Sequence, residues 1–307
     1  MFLQRVEYLY NLSDDRKNMF EKPTIAITGA NGFIGKYLVD FFQKRGYKVL
    51  ALIRHFQEDD NKGALYRYFD LAAPVNDLDL AGCDILIHCA YVKKNNDENS
   101  DFINIYGTQS LYGLSKIAGV GKFIFISSLS AHEKAASHYG QVKLKIESML
   151  DDSKDLILKP GLVLGKGGLF GSILKIIRNS RILPLIDGGR QNIQGIDIED
   201  LAECIRVAVD NDITGKYALV ADQEFTLINI AQTIANKIKR KIRFVSIPYW
   251  LANFVLSFFD VVHLSLPVNK ENLLGLRQNV IWSGGDCARV FGVRPKSYIY
   301  SIDRLLS

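Results

Sequence analysis

A chain of 307 residues with 38 basic and 33 acidic side chains spread along its length carries a formal charge of only +5. No block of positive charge suits nucleic acid, and no nucleic-acid partner is expected. Its four cysteines, Cys83, Cys89, Cys204 and Cys287, form no CxxC pair and no metal-ligand spacing with histidine, so reduced thiols, no metal and a cytoplasmic location are expected.

Residues 1–22 read as an N-terminal extension. Arg5 and Glu7 interrupt its apolar residues and no small-residue cleavage site follows, so it does not resemble a signal peptide. From Thr24 the chain alternates short β-branched runs with helical periodicity. Strands are predicted at 24–28, 47–53, 65–69, 84–88, 122–127 and 155–159. Helices are predicted at 33–44, 102–118 and 138–150, the first from the spacing of Ile34, Tyr37, Leu38, Phe41 and Phe42. Such alternation implies an α/β fold, a doubly wound parallel sheet of the Rossmann type, in a dinucleotide-binding domain over 23–165.

Beyond Pro160 the rhythm changes. Residues 161–171 hold five glycines and 190–195 are polar, so both are read as loops. Helical patterns return at 201–209 and 227–239. A smaller C-terminal substrate-binding lobe is expected over 166–307, with 194–221 returning to the Rossmann domain. The stretch 248–267 is broadly apolar, but Asn253, Asp260 and His263 interrupt it and argue against a membrane span. A core helix is the plain reading; a homodimer face or a peripheral membrane contact are its alternatives.

The first chemical feature is Thr28-Gly29-Ala30-Asn31-Gly32-Phe33-Ile34-Gly35, set between a predicted strand and a predicted helix. A pyrophosphate needs a tight turn, close backbone approach and free N–H groups at a helix start. Glycines supply the first two and the helix supplies the third. The end of the second strand reads cofactor choice. Arg54 stands there instead of an acidic residue, which favours NADP over NAD.

Hydride transfer at a secondary alcohol also needs a group that moves the hydroxyl proton. Tyrosine titrates near 10, and a lysine one helical turn away would favour its phenolate. Tyr-x-x-x-Lys occurs twice, at Tyr112–Lys116 and Tyr139–Lys143. With 14 tyrosines in the chain, about one occurrence is expected by chance, so the motif alone does not choose.

The GxxGxxG spacing resembles the short-chain dehydrogenase/reductase superfamily, in its extended branch of nucleotide-sugar epimerases, dehydratases and reductases. The resemblance covers residues 24–165 and, more loosely, the run to Ala202. It places a serine at the end of the fifth strand and the catalytic tyrosine on the next helix. That order implies Ser128, Tyr139 and Lys143 as the catalytic set, with Ser127 as the fallback for Ser128, and leaves Tyr112 to helix packing. It further implies cofactor contacts from Gly29, Asn31, Gly32, Phe33, Ile34, Gly35, Arg54, Asp70, Ala90, Asn104, Tyr139, Lys143, Pro160 and Val163. Asp70 would meet the adenine, Lys143 the nicotinamide ribose, and Asn104 would support the active-site helix or a water.

The likeness weakens toward the substrate. Where nucleotide-sugar members carry a diphosphate-binding arginine, this chain has Ile193; Arg190, Arg277 and Arg289 are the substitutes considered. His132 replaces an aromatic that often follows the serine. Leu129 and Ser130 stand where a dehydratase would have an acidic residue after Ser128. The expected function is hydride transfer at C4 of a nucleotide sugar, by a 4-keto reductase or a 4-epimerase. Two alternatives remain: a dehydrogenase or reductase of an apolar or lipid-linked alcohol, and a non-catalytic NADP-binding scaffold subunit.

Overall fold

The computed structural model describes residues 22–56, 64–75, 78–93, 99–251, 282 and 284–307. In chain order the first half runs β1 (Ile25–Thr28), α1 (Phe33–Lys44), β2 (Val49–Ile53), β3 (Leu65–Tyr68), β4 (Ile85–His88), α2 (Ser100–Ile117), β5 (Lys122–Ile126), α3 (His138–Glu147) and β6 (Leu156–Pro160). Next come β7 (Leu162–Leu164), α4 (Gly168–Asn179), β8 (Ile182–Ile186), β9 (Asn192–Ile193), β10 (Gly195–Asp197), α5 (Ile198–Asp210) and β11 (Gly215–Leu219). The remainder is β12 (Phe225–Thr226), α6 (Leu227–Lys237), β13 (Arg243–Ile247), α7 (Asp286–Phe291) and α8 (Tyr298–Leu306).

β1, β2, β4, β5 and β6 are buried along their whole length, as strands must be when helices cover both faces of a sheet. They join β3 and β11 in a seven-stranded sheet of order β3-β2-β1-β4-β5-β6-β11, with every pairing parallel. The order reverses between β1 and β4, and the crevice beyond the carboxyl ends of these strands is where this topology binds ligands. Phe42 on one face and Phe123 and Phe125 on the other are fully buried, each contributing roughly 1.5–3 kcal/mol of transfer free energy.

The chain between residues 198 and 219 lies with this sheet, since β11 pairs with β6 and α5 packs on α1. Asp197, the N-cap of α5, is fully buried and accepts two bonds from Arg304 of α8 at 2.8 and 2.9 Å. A second core gathers Phe170, Ile173, Leu174 and Ile177 of α4 with Ile230, Ala231 and Ile234 of α6 and Ile302 of α8.

Two stretches read as loops carry regular structure. Residues 161–171 contain β7 and the start of α4, whose buried residues follow an i, i+3, i+4, i+7 stripe that the neighbouring glycines obscure. Residues 190–195 contain β9 and the first residue of β10, each too short for periodicity to reveal. The apolar stretch 248–267 lies outside the described residues beyond Leu251, as do residues 1–21. Among the described residues no helix is long and apolar enough to cross a membrane.

Candidate active site

The glycine loop is built by contacts that exclude side chains. Gly29 has a positive φ of 64°, and a Cβ there would lie 2.8 Å from the Ala90 nitrogen. A Cβ on Gly35 would lie 2.2 Å from the Gly29 carbonyl oxygen, so α1 starts against the turn itself. Gly32 is the N-cap of α1 and no side chain caps it, while Asn31 and Gly32 are exposed. An uncapped helix start beside an open turn that a Cβ would obstruct fits a dinucleotide pyrophosphate. Phe33 packs into the next glycine-rich stretch, where a Cβ on Gly167 would lie 2.4 Å from its ring. The glycines after β7 therefore let the second lobe close on the first residue of α1.

A neutral histidine ties this loop to β4 and α2. Thr28 Oγ1 accepts from the Cys89 and Ala90 N–H groups, both at 3.2 Å, and so donates its own proton to His88 Nδ1 at 2.7 Å. His88 Nε2 then carries the ring hydrogen and donates to Thr108 Oγ1 at 3.0 Å. Burial pushes the His88 pKa down to about 3, helped by the Lys143 charge. Asn104 is spent on the chain after β4: its amide donates to the Val92 and Ser100 carbonyls and accepts from the Val92 N–H, all at 2.7–2.8 Å.

Ser128 follows β5, and Tyr139 and Lys143 lie one turn apart on α3. The Tyr139 hydroxyl and Ser128 are hydrogen-bonded, which lowers the phenol pKa, but burial outweighs this and the net direction is upward. Lys143 is buried, and its Nζ donates to the Ile126 carbonyl at 2.8 Å, 5.9 Å from the Tyr139 ring centroid. The lowering of the tyrosine pKa expected from Lys143 is thus not the net result here, because burial of the phenol dominates. Burial in turn pushes Lys143 down to about 8. Tyr91 completes the wall, its ring edge-on to Tyr139 at 5.0 Å. Ser127 faces the interior and donates to Glu147 Oε1 at 2.5 Å, so the two adjacent serines point to different partners.

Tyr112 and Lys116 converge elsewhere. The hydroxyl donates to Asp155 Oδ2 at 2.6 Å and the ammonium to Oδ1 at 2.8 Å, with the Phe123 N–H adding a third bond at 3.0 Å. Asp155 is fully buried, so this pair satisfies a buried carboxylate between α2 and β6.

Arg54 is exposed directly after β2, its Nε 3.2 Å from His55 Nε2. Asn31 reaches the same segment, donating to the His55 carbonyl at 2.7 Å. Asp70 holds a turn by accepting from the Ala72 N–H at 3.0 Å. Pro160 is buried at the end of β6, and Val163 pairs with Ile196 across β7 and β10. Among the phosphate candidates, Arg190 is exposed and lines a cavity of about 620 Å³ with Asp187, Gln232, Phe244 and Ser246. None of Ser128, Tyr139 and Lys143 lines it. Arg289 pairs on the surface with Asp286 at 2.6 Å, and Arg277 lies outside the described residues. Ile193 is buried in the core of the second lobe.

Sequence reasoning missed Gly140, Glu147 and Lys159. A Cβ on Gly140 would lie 2.2 Å from the Ser130 carbonyl oxygen, whereas Gly113, at the matching position of the other Tyr-Gly motif, has no neighbour within 4 Å. Glu147 and Lys159 are charged residues at buried positions; the i, i+4 spacing from Lys143 puts Glu147 on the same helix face, but only the packing brings Lys159 to it.

The model of a family described as "NAD dependent epimerase/dehydratase family" matches residues 25–220. A ceramide reductase of Caulobacter vibrioides is 26% identical over 242 residues, covering 73% of each protein. A UDP-glucose 4-epimerase of Vibrio cholerae is 24% identical over 261 residues, 74% of this chain and 79% of that protein. Among solved structures, epimerase Mth375 of Methanothermobacter thermautotrophicus superposes with a TM-score of 0.73 at 14% identity, covering 95% of this chain and 93% of that one.

Proposed function

The chain belongs to the NAD dependent epimerase/dehydratase family, and from that premise we propose that it transfers hydride between NAD(P) and a carbon bearing a secondary alcohol. The observation that carries this reading is the Ser128–Tyr139 hydrogen bond with Lys143 one turn along α3. Tyr139 gives or takes the hydroxyl proton, Ser128 orients the substrate oxygen, and Lys143 supplies positive charge beside the phenol. The cofactor, when bound, supplies the hydride. The turn at Gly29–Gly35 and the start of α1 hold its pyrophosphate, and exposed Arg54 favours NADP by meeting a 2′-phosphate.

The substrate we read first is a nucleotide sugar reacting at C4, in a 4-keto reductase or a 4-epimerase; the resemblance to a UDP-glucose 4-epimerase supports it. One observation favours a second reading, an apolar or lipid-linked alcohol. Ile193, at the position where an arginine would bind a diphosphate, is buried in an apolar core, and a ceramide reductase is among the relatives.

Nicotinamide deuterated at C4 tests both. The protein is incubated with labelled NADPH or NADH and either UDP-4-ketohexoses in buffer or a long-chain ketone in mixed micelles. Deuterium on the sugar C4 supports the first reading, and deuterium only on the long-chain product supports the second. Label on neither, from either cofactor, contradicts hydride transfer to these classes.

A further inference from the structure

Behind the Ser128–Tyr139 pair lies a buried charge cluster that the proposed chemistry does not use. Glu147 is one turn beyond Lys143 on α3 and is 2% exposed. Its Oε1 accepts from Ser127, and its Oε2 lies 3.3 Å from Lys159 Nζ and 3.2 Å from Lys216 Nζ. Lys159, on β6, is 3% exposed. Its ammonium also donates to the Ala131 carbonyl at 2.5 Å and sits 4.6 Å from the centroid of the Trp282 ring. Trp282 is held in turn by Gln194, whose side-chain amide accepts from the Trp282 backbone N–H and donates to its backbone carbonyl, both at 2.9 Å.

One buried ammonium thus meets the helix that carries Tyr139 and Lys143, the turn that begins at Ser128, and a segment anchored beside β9. The turn is short and closed: the Ala131 N–H donates to the Ser128 carbonyl at 3.0 Å, so fixing the Ala131 carbonyl fixes Ser128. Two buried charges are costly to desolvate, and an apolar pair of similar volume would serve stability as well or better. Lys159 also exceeds the role of a simple counter-ion, because Lys216 already faces the same Glu147 oxygen.

We propose that Lys159 is a positioning residue for the reaction: through Ala131 and Glu147 it holds Ser128 at hydrogen-bond distance from Tyr139. The inference rests on the reading of Ser128 and Tyr139 given above. It differs from a purely structural role in what it predicts for the Tyr139 phenol, whose pKa Ser128 lowers by hydrogen bonding.

The test reads that phenol directly, without a substrate. Protein labelled with 3-fluorotyrosine is titrated by ¹⁹F NMR, and the Tyr139 resonance is assigned by its absence in Tyr139→Phe. Ser128, Tyr91 and Lys143 face this ring and none of them is substituted in the Lys159 and Glu147 variants. The Glu147 charge acts on Lys143, and Lys159→Met, which keeps Glu147, leaves that carboxyl group in place. Ser128→Ala sets the scale by raising the Tyr139 midpoint. Lys159→Met is expected to raise it by at least half as much, and Lys159→Arg, which keeps the charge and its donors, to restore most of the shift. Because Lys159→Met removes one partner of Glu147, the paired variant Glu147→Gln/Lys159→Met is measured as well, at nearly constant side-chain volume; the same upward shift is expected in a protein that melts cooperatively. If Ser128→Ala moves the midpoint while folded Lys159→Met and the paired variant leave it unchanged, the positioning role is overturned. If Ser128→Ala itself moves nothing, the underlying reading of Ser128 fails instead.

Discussion

A Cβ placed on Gly140 would sit 2.2 Å from the Ser130 carbonyl oxygen and 3.0 Å from the Ala135 Cβ, so the residue after Tyr139 has to be glycine for the Ser128 turn to rest on α3. The corresponding glycine after Tyr112 meets nothing. Gly140→Ala is therefore expected to cost about 1–3 kcal/mol by overpacking and to lower turnover by displacing Ser128. Gly113→Ala should stabilise the protein by about 0.5–1 kcal/mol through helix propensity, with turnover unchanged. Paired denaturation and rate measurements check this, and equal effects of the two substitutions would contradict it.

Tyr112 gives a second contrast. Its hydroxyl and Lys116 share the buried Asp155 carboxylate, and burial followed by that hydrogen bond pushes the phenol up to about 12. Tyr112→Phe should cost about 1–3 kcal/mol by leaving one buried oxygen short of a donor, with the rate of hydride transfer within about twofold of wild type. A large loss of rate at intact stability would oppose the packing role.

His88 makes stability sensitive to mild acid. Its folded pKa is depressed to about 3 from an ordinary 6.5, so between these values the unfolded chain binds the extra proton. Stability contributed by neutral His88 is present above pH 6.5 and is lost as pH falls toward 3, at up to about 1.4 kcal/mol per pH unit. Urea denaturation from pH 7.5 to 4.5 should show a steeper decline for wild type than for His88→Gln. Parallel curves would contradict a buried neutral imidazole.

Lys143 sets function against stability. Its pKa of about 8 lies below the ordinary 10.5, so the buried charge is a cost that persists below pH 8 and is relieved as pH rises from 8 to 10.5. Lys143→Met should stabilise the protein at pH 7 by on the order of 2 kcal/mol, after allowing for the lost hydrogen bond to Ile126. The same variant should lose hydride transfer, and the wild-type advantage of higher pH should vanish in its stability profile. A destabilised variant with no change in pH profile would refute this balance.

Much of the dinucleotide half is legible in the amino-acid order, because its signals are local. A strand, a glycine turn and an amphipathic helix follow one another within about twenty residues, and the buried runs of β1, β4 and β5 read as continuous apolar stretches. The second lobe is harder. Its strands β7, β9, β10 and β12 are two or three residues long, too short for periodicity, and the apolar stripe of α4 begins inside a glycine-rich run. The choice of Tyr139 over Tyr112 needs the order of elements along the chain, since both motifs read alike. Glu147 and Lys159 resemble ordinary surface charges on a helix and a strand; only the packing of α3 against β6 shows that their heads meet inside the protein.

The proposed proton transfer by Tyr139 is tested most directly by Tyr139→Phe, which removes one oxygen and leaves the ring against Tyr91. NAD(P)H affinity, followed by nicotinamide fluorescence, and thermal stability should stay close to wild type. Transfer of deuterium from labelled cofactor to whichever substrate the wild type accepts should fall by roughly 10²–10⁴-fold. Deuterium transfer within about twofold of wild type would show that the proton moves through another group, and the assignment of the site would not stand.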